Sequence, residues 1–341
     1  MLHHFTRSIA HIALPDKFTY PFHYTPHPLC VMAADEVQVY LQHQAQWQDE
    51  LQQGKMFGVL IVQTTEGEIG YLAAFSGILA GKNIHPYFVP PIYDLLQPDG
   101  FFKKEEEHIS AINHRIRELE EDTSYQKCRQ ALEEETARCN RLLSQAKAKL
   151  KAAKELRDCR RQTEQLSESE QAAMIRESQF QKAELKRLER SLKEHLSSLQ
   201  KETDTYVSQI EALKNERKSR SATLQQQLFE QFRLLNARGE VKDLCSIFAH
   251  TVHKIPPAGA GECAAPKLLQ YAYFHHYRPV AMAEFWWGDS PKAEIRHHGH
   301  YYPACKGKCE PILGHMLQGL EVEENPLLED NHRTTVLDII Y

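Results

Sequence analysis

Leu185-Lys186-Arg187-Leu188-Glu189-Arg190-Ser191-Leu192-Lys193-Glu194-His195-Leu196-Ser197-Ser198-Leu199 returns a leucine every seventh residue, and Tyr206 and Leu213 continue the series. Leu188 adds the second position of the seam, which is the spacing of paired helices. The stretch lies inside 138 residues, Phe101 to Arg238, that contain neither glycine nor proline, although the rest of the chain is well supplied with both. Upstream, Ile109, Ile112, Ile116 and Leu119 step by three, four and three, so the helical period runs through both halves. The apolar pattern is weakest at Gln165-Leu166-Ser167-Glu168-Ser169-Glu170-Gln171, almost at the centre. A turn there gives an antiparallel hairpin with arms of about 65 residues, or roughly 100 Å at 1.5 Å per residue. One continuous helix in a parallel dimer, which self-associates through its seam, is the alternative. The central break and the globular sequence at both ends favour the hairpin.

The flanks read as the two parts of one α/β domain. Ala33 to Gln53 has the pattern of an amphipathic helix, followed by a strand Met56–Val62, a Thr-Thr-Glu-Gly turn and a strand Glu68–Phe75. Beyond the helical stretch come a helix near Pro266–His276, a strand Val280–Trp286 and a helix from Cys309 to Leu317. Neither flank makes a core alone, but together they predict a three-layer α/β domain interrupted by the coiled-coil hairpin. The expected divisions are 1–100 and 239–320 for the two parts of that domain and 101–238 for the insertion. Residues 321–341 then form a linker and the first strand of a further domain. Val336-Leu337-Asp338-Ile339-Ile340-Tyr341 alternates apolar and polar like a half-buried strand, with no partner strand after it in the chain.

Composition narrows the function classes. The 341 residues carry a net charge of -5 and 26% charged side chains, which argues against a generic polyanion binder. Mean hydropathy is -0.54 and no run of 18 apolar residues occurs, so the chain reads as soluble, cytoplasmic and without a membrane partner. Eight scattered cysteines, three of them in charge-rich helical sequence, are not a disulfide framework. No glycine-rich phosphate loop, His-Glu-x-x-His or Gly-x-Ser-x-Gly is present, and nothing assembles a nucleophile with its base.

The densest chemistry lies between Gly259 and Gly314. Gly261-Glu262-Cys263-Ala264-Ala265-Pro266 opens one predicted helix, and Tyr302-Pro303-Ala304-Cys305-Lys306-Gly307-Lys308-Cys309-Glu310-Pro311 opens another. Cys263, Cys305 and Cys309 at two helix N-termini are candidate zinc ligands, since helix dipoles and metal both favour thiolates. His297, His298 and His300 are nearby candidates for a fourth ligand, against the plainer reading of solvated loop histidines. The arrangement resembles the zinc deaminase fold, in which a ligand at one helix start and Pro-Cys-x-x-Cys at the next hold the metal. Two departures count against that chemistry. Ala265 stands where a proton-shuttling Glu belongs, two residues after Cys263, and the Cys305 to Cys309 spacing is one residue too long. Phe285-Trp286-Trp287-Gly288 offers a stacking platform for a base, or simply buries its aromatics at a strand end.

Charge is uneven along the helical stretch. Arg141 to Lys201 carries 15 positive and 9 negative side chains, whereas Lys103 to Asn140 carries 7 and 10. In the hairpin the distal half is therefore the basic half, and Lys147, Lys151, Lys154, Arg157, Arg161, Lys186 and Arg190 are candidate phosphate contacts to RNA. An accidental imbalance on the exposed faces of a coiled coil is the competing account.

Several segments carry a resemblance to a known family. Asn325-Pro326-Leu327-Leu328 followed by Val336–Tyr341 resembles the approach to the catalytic domain of RluA-type RNA pseudouridine synthases. Tyr20-Pro21-Phe22-His23-Tyr24-Thr25-Pro26-His27-Pro28, Gly261-Glu262-Cys263, Ala283–Gly288 and Pro303–Pro311 are similar to the long N-terminal extension of some bacterial members. The resemblance implies a parent protein that isomerises uridine to pseudouridine in rRNA or tRNA, using an Asp in an Arg-Leu-Asp motif. That motif is absent, and the nearest string, Arg187-Leu188-Glu189, lies on the helical seam. The expectation is an accessory, RNA-positioning region without catalytic residues of a synthase. A coiled-coil scaffold for protein partners and a zinc-binding, deaminase-like domain are the competing expectations.

Overall fold

The computed structural model describes residues 1–252, 254–292 and 294–328. The predicted strand Val336–Tyr341 and the later part of the predicted linker lie outside them. The chain is mixed α/β and divides into two compact units, one of Met1–Lys104 with the chain from Thr223 onward, the other Glu105–Ala222.

The first unit is built on a four-stranded antiparallel sheet ordered β2-β1-β5-β6, with β1 Lys55–Gln63, β2 Ile69–Phe75, β5 Arg278–Trp287 and β6 Tyr301–Tyr302. A tight turn joins the first two strands, and Gly67 at φ +87° supplies the left-handed residue it needs. The register of β1 on β5 slips between Ile61 and Val62, where Val62 meets Pro279. A proline has no amide to donate to the ladder, so a bulge is the form in which the strand admits it.

Side chains alternate across this sheet into two cores. Leu60, Val62, Leu72, Ala74 and Met282 face one side with Ala264, Leu268 and Ala272 of α7 (Ala264–Phe274) and Ile312, Leu313 and Met316 of α8 (Lys306–Met316). Val59, Ile61, Ala73, Ala281, Ala283 and Phe285 face the other with Leu29, Ala33, Val37 and Leu41 of α1 (Pro28–Gln42). Helices thus cover both faces, and each fully buried Leu, Ile or Phe contributes roughly 1.5–3 kcal/mol.

Several boundaries differ from the sequence reading. The first helix starts five residues early, with Pro28 in its first turn and His27 Nδ1 accepting the Leu29 amide at 3.2 Å. It ends at Gln42, not Gln53, because a 3₁₀ turn (Ala45–Trp47) and the short α2 (Gln48–Gln52) redirect the chain and bury Trp47 against Tyr40 and His85. The long helical stretch ends at Gln231, not Arg238. Phe232 and Leu234 are needed in the core, and Arg233–Leu235 becomes β3, paired with β4 (Val241–Asp243). The turn between them is made by Asn236, whose side chain accepts the amides of Arg238 and Glu240, and by Gly239 at φ +83°. A short α6 (Leu244–Phe248) follows, capped by Asp243.

The second unit is helical. Of α3 (Phe101–Glu121), α4 (Thr123–Thr163) and α5 (Glu168–Gln231), the middle one starts at Asp122, whose carboxylate accepts the amides of Ser124 and Tyr125 at 2.7 and 3.2 Å. That cap breaks what glycine and proline counting reads as continuous helix. The central turn falls within the predicted stretch, between Thr163 and Glu168. Ser167 and Glu170 form a reciprocal capping box there, Ser167 N to Glu170 Oε2 at 2.8 Å and Glu170 N to Ser167 Oγ at 3.4 Å.

Contacts along the arm descend on one helix as they ascend on the other: Arg157–Gln181 at 2.8 Å, Lys147–Glu189 at 3.4 Å, Glu135–His195 at 3.2 Å and Glu120–Lys214 at 2.7 Å. The arms are therefore antiparallel. Ile116, Leu119, Tyr125, Leu192 and Ile210 are buried along the seam. Among the described residues no helix is long and apolar enough to cross a membrane.

Candidate metal centre

Two helix starts bring the cysteines together. Cys263 is the N-cap of α7 and Cys305 the N-cap of α8, both in extended backbone conformation, and Cys309 lies in the first turns of α8. An N-cap and the residue four positions on stand above one another on a helix. The Cys305 and Cys309 sulfurs are accordingly 3.4 Å apart. All three sulfurs lie within 4.8 Å of one another. The spacing that departs from Cys-x-x-Cys in the sequence is thus compatible with a shared ligand set.

The electrostatics favour a thiolate. Cys305 is pushed down to about 2 by its side-chain contacts with Cys263 and Cys309 and by the amides of Lys308 and Cys309. Cys263 is pushed up to about 12, chiefly by its contact with Cys305, and Cys309 is raised by its contacts with Cys263 and Cys305 and by burial. The shifts favour a thiolate at Cys305 over one at the buried Cys309. A soft cation of zinc type suits this donor set, because it neutralises the charge and releases the remaining two protons.

The histidines take other roles. His298 Nδ1 accepts the Gly288 amide at 3.0 Å and its ring packs on Trp287, while His297 and His300 lie ring against ring. Among the described residues the mutually close ligand set contains the sulfurs and no histidine. The aromatic strand end is occupied too. Trp287 is buried, and the Arg296 guanidinium lies 5.2 Å from the Trp286 ring centroid. A Cβ on Gly54 would meet Trp286 at 2.3 Å, so the indole is packed on backbone.

Glu284 is the residue the sequence reading passed over. It sits in the middle of apolar β5, 3% exposed, with Oε1 accepting the amide of Ala265 at 3.1 Å. Burial raises it to about 7, against the Ala265 hydrogen bond that pulls it down, and its charge acts on the Cys263 and Cys309 thiols. Gly58 of β1 lies directly across the ladder from Glu284. A Cβ there would stand 3.0 Å from Ala264 Cβ and 3.4 Å from Glu284 Cγ, so the glycine admits both the start of α7 and the carboxylate. Tyr24 secures the same strand, its hydroxyl accepting the Glu284 amide at 2.9 Å and donating to the Tyr302 carbonyl at 3.0 Å. A charged residue in an otherwise buried strand, and a glycine in its neighbour, were the available signals.

A second buried charge lies on α7. Lys267, 2% exposed, donates to the carbonyls of Phe75 at 2.9 Å and Gly77 at 3.3 Å and rests over the Phe75 ring.

On the arm, Lys147, Lys151, Lys154, Arg161, Lys186 and Arg190 are exposed. Lys147 pairs with Glu189, Lys151 with Glu155 and Arg161 with Asp158. Arg157 corrects the sequence expectation. It is 6% exposed and donates to Gln181 across the seam, with Glu177 at 3.9 Å, so its guanidinium is spent inside the hairpin. No family model, curated protein or solved structure matches the chain.

Proposed function

We propose that this chain is an RNA-engaging region of an RluA-type RNA pseudouridine synthase. In this reading its α/β unit has a deaminase-like build closed by a thiolate metal centre, and its helical hairpin is a coiled coil that carries cations to the RNA. The observation that supports it is the exposure of Lys154, Lys186 and Arg190 on a helical arm whose distal half carries 15 positive and 9 negative side chains. Such a field tracks a phosphate backbone and holds an RNA without reading its sequence. The chain has no Arg-Leu-Asp motif, so its part is to position RNA for uridine isomerisation done elsewhere.

Filter binding to tRNA and to rRNA fragments between 50 and 200 mM salt tests this. Binding should weaken steeply with salt, because each phosphate contact releases a counterion. Replacing Lys154, Lys186 and Arg190 together by Glu should lower affinity at least tenfold and flatten the slope. A triple variant that binds as tightly as the parent, with the same slope, refutes the reading.

The placement of Glu284 favours a second reading, metal-dependent hydrolysis of deaminase type. The carboxylate whose absence at Ala265 counts against that chemistry reaches the same turn of α7 from β5.

A further inference from the structure

We propose that Phe180 is a stacking platform on which the helical arm holds an unpaired base of single-stranded RNA. The site rests on the RNA reading above and narrows it to RNA that is not paired.

Three observations carry it. First, Phe180 has no part in closing the hairpin. The seam series through Leu185, Leu188 and Leu192 runs back to Gln181, Ser178 and the buried Met174, which puts Phe180 at an outer position. Its side chain is 63% exposed there, where Lys, Glu or Gln would be solvated and would favour the helix more. Among the described residues the exposed large apolar side chains of this unit are Leu142, Leu156, Ile175 and Phe180, and all lie in the basic half, between Arg141 and Lys201. Apolar exposure and positive charge therefore coincide along the arm.

Second, Phe180 borders a groove of about 360 Å³ between the two long helices, lined by Ala146, Lys149 and Leu150 of α4 and by Leu185 and Leu188 of α5. That volume is at the small end of ligand cavities, and it admits a base and not the row of apolar anchors with which a helix docks. Gln181, the next residue, accepts from Arg157 Nη1 across the seam at 2.8 Å and so holds this part of α5 on α4. The wall beside the ring is thus already in place, and stacking there orders little else.

Third, the groove is flanked by cations. Lys149 on its rim is exposed, and Arg176 and Arg187, four residues before Phe180 and seven after it, are exposed on the same helix face. Glu184, the acidic residue of the lining, is held by Arg187 at 2.6 Å. A flat apolar ring among cations matches a strand of alternating bases and phosphates. A duplex keeps its base faces stacked on one another and has none to offer the ring.

Filter binding of the full chain to an oligouridylate and to a fully paired RNA duplex of the same length tests this. The parent should prefer the single strand. F180A and F180L should lower affinity for the oligouridylate about five- to a hundredfold, the worth of one base stacked on an aromatic ring, and leave duplex affinity and the salt slope unchanged. F180W should keep single-strand binding, and the indole fluorescence it adds should be quenched by the oligouridylate and not by the duplex.

F180A or F180L binding the oligouridylate as tightly as the parent overturns the inference while the RNA reading stands, as does a variant that loses single strand and duplex alike. A parent that sediments as a dimer, with F180A a monomer, assigns the groove to a second copy of the chain and overturns it too. A parent that binds neither RNA refutes the reading on which the site rests.

Discussion

Gly58 and Lys267 show what single positions cost in the α/β unit. A Cβ at Gly58 would press on Ala264 Cβ at 3.0 Å and Leu268 Cδ1 at 3.1 Å, with the start of α7 behind them. Gly58→Ala should therefore destabilise by about 1–3 kcal/mol, the usual cost of overpacking a core. Gly307→Ala, at a helical glycine whose Cβ would meet nothing within 4 Å, should be neutral or stabilise slightly. Denaturation midpoints of the two variants decide this, and equal effects would contradict the packing account. Lys267 is lowered from its usual 10.5 to about 8, chiefly by burial, with Lys55 adding to the shift and Glu262 and Cys263 opposing it. Between those two values the unfolded chain binds the proton that the folded chain has released, so stability from this group rises with pH and is lost again as pH falls toward 8. The rise is at most about 3 kcal/mol. Stability measured from pH 7.5 to 10.5 should show it in the parent relative to Lys267→Met. Parallel curves for the two proteins would mean that the buried amine keeps its ordinary pKa.

At the scale of elements, the arm is specified by caps and by a seam. Asp122 and the Ser167–Glu170 box set where helices start, and Ile116, Leu119, Tyr125 and Ile210 form one buried cluster along the seam. Ile210→Ala should cost about 2–4 kcal/mol, because the cavity opens in a narrow contact with few neighbours to relax into it. The helical signal followed through thermal unfolding measures it, with the exposed Ile175→Ala as the control that leaves the transition in place. If the two variants melt alike, the cluster does not hold the hairpin. The cross-seam ion pairs are mostly exposed and add little, about 0–1 kcal/mol each.

For the whole molecule, the two units should respond differently to metal. If the thiol trio holds zinc, removing it with a chelator takes stability from the α/β unit, about 2.7 kcal/mol for free metal at a hundred times its Kd. The helical unit has no part in that ligand set, so its transition should stay where it is. Calorimetry with and without chelator checks both halves of this expectation. A thermogram indifferent to chelator and to added zinc would leave the cysteines as plain thiols. The RNA affinity proposed for the arm should persist after chelation, which separates the two functions in one preparation.

How much of this could be read from residues alone follows from the range of the interactions involved. Helix period, capping chemistry and turn residues act over a few positions, so the repeat from Leu185 to Leu213, the break near Ser167 and the strands around Gly58 and Val280 were legible as they stood. The end of α5 was not, because Phe232 and Leu234 leave a helix-compatible sequence for contacts made far along the chain. Arg157 read as a free cation for the same reason, since Gln181 reaches it only when the hairpin closes. The three thiols stand out in the sequence by their helix starts, but their meeting depends on two helices packing on one face of the sheet. Glu284 shows in the sequence only as a charge within an apolar strand, and its surroundings do not show at all. Its partner Ala265 is 19 residues away, and its neighbour across the ladder, Gly58, is separated from it by the entire helical insertion. Local sequence thus decided which elements form, while the site was decided by tertiary packing, because a buried carboxylate acquires its neighbours only when sheet and helices close around it.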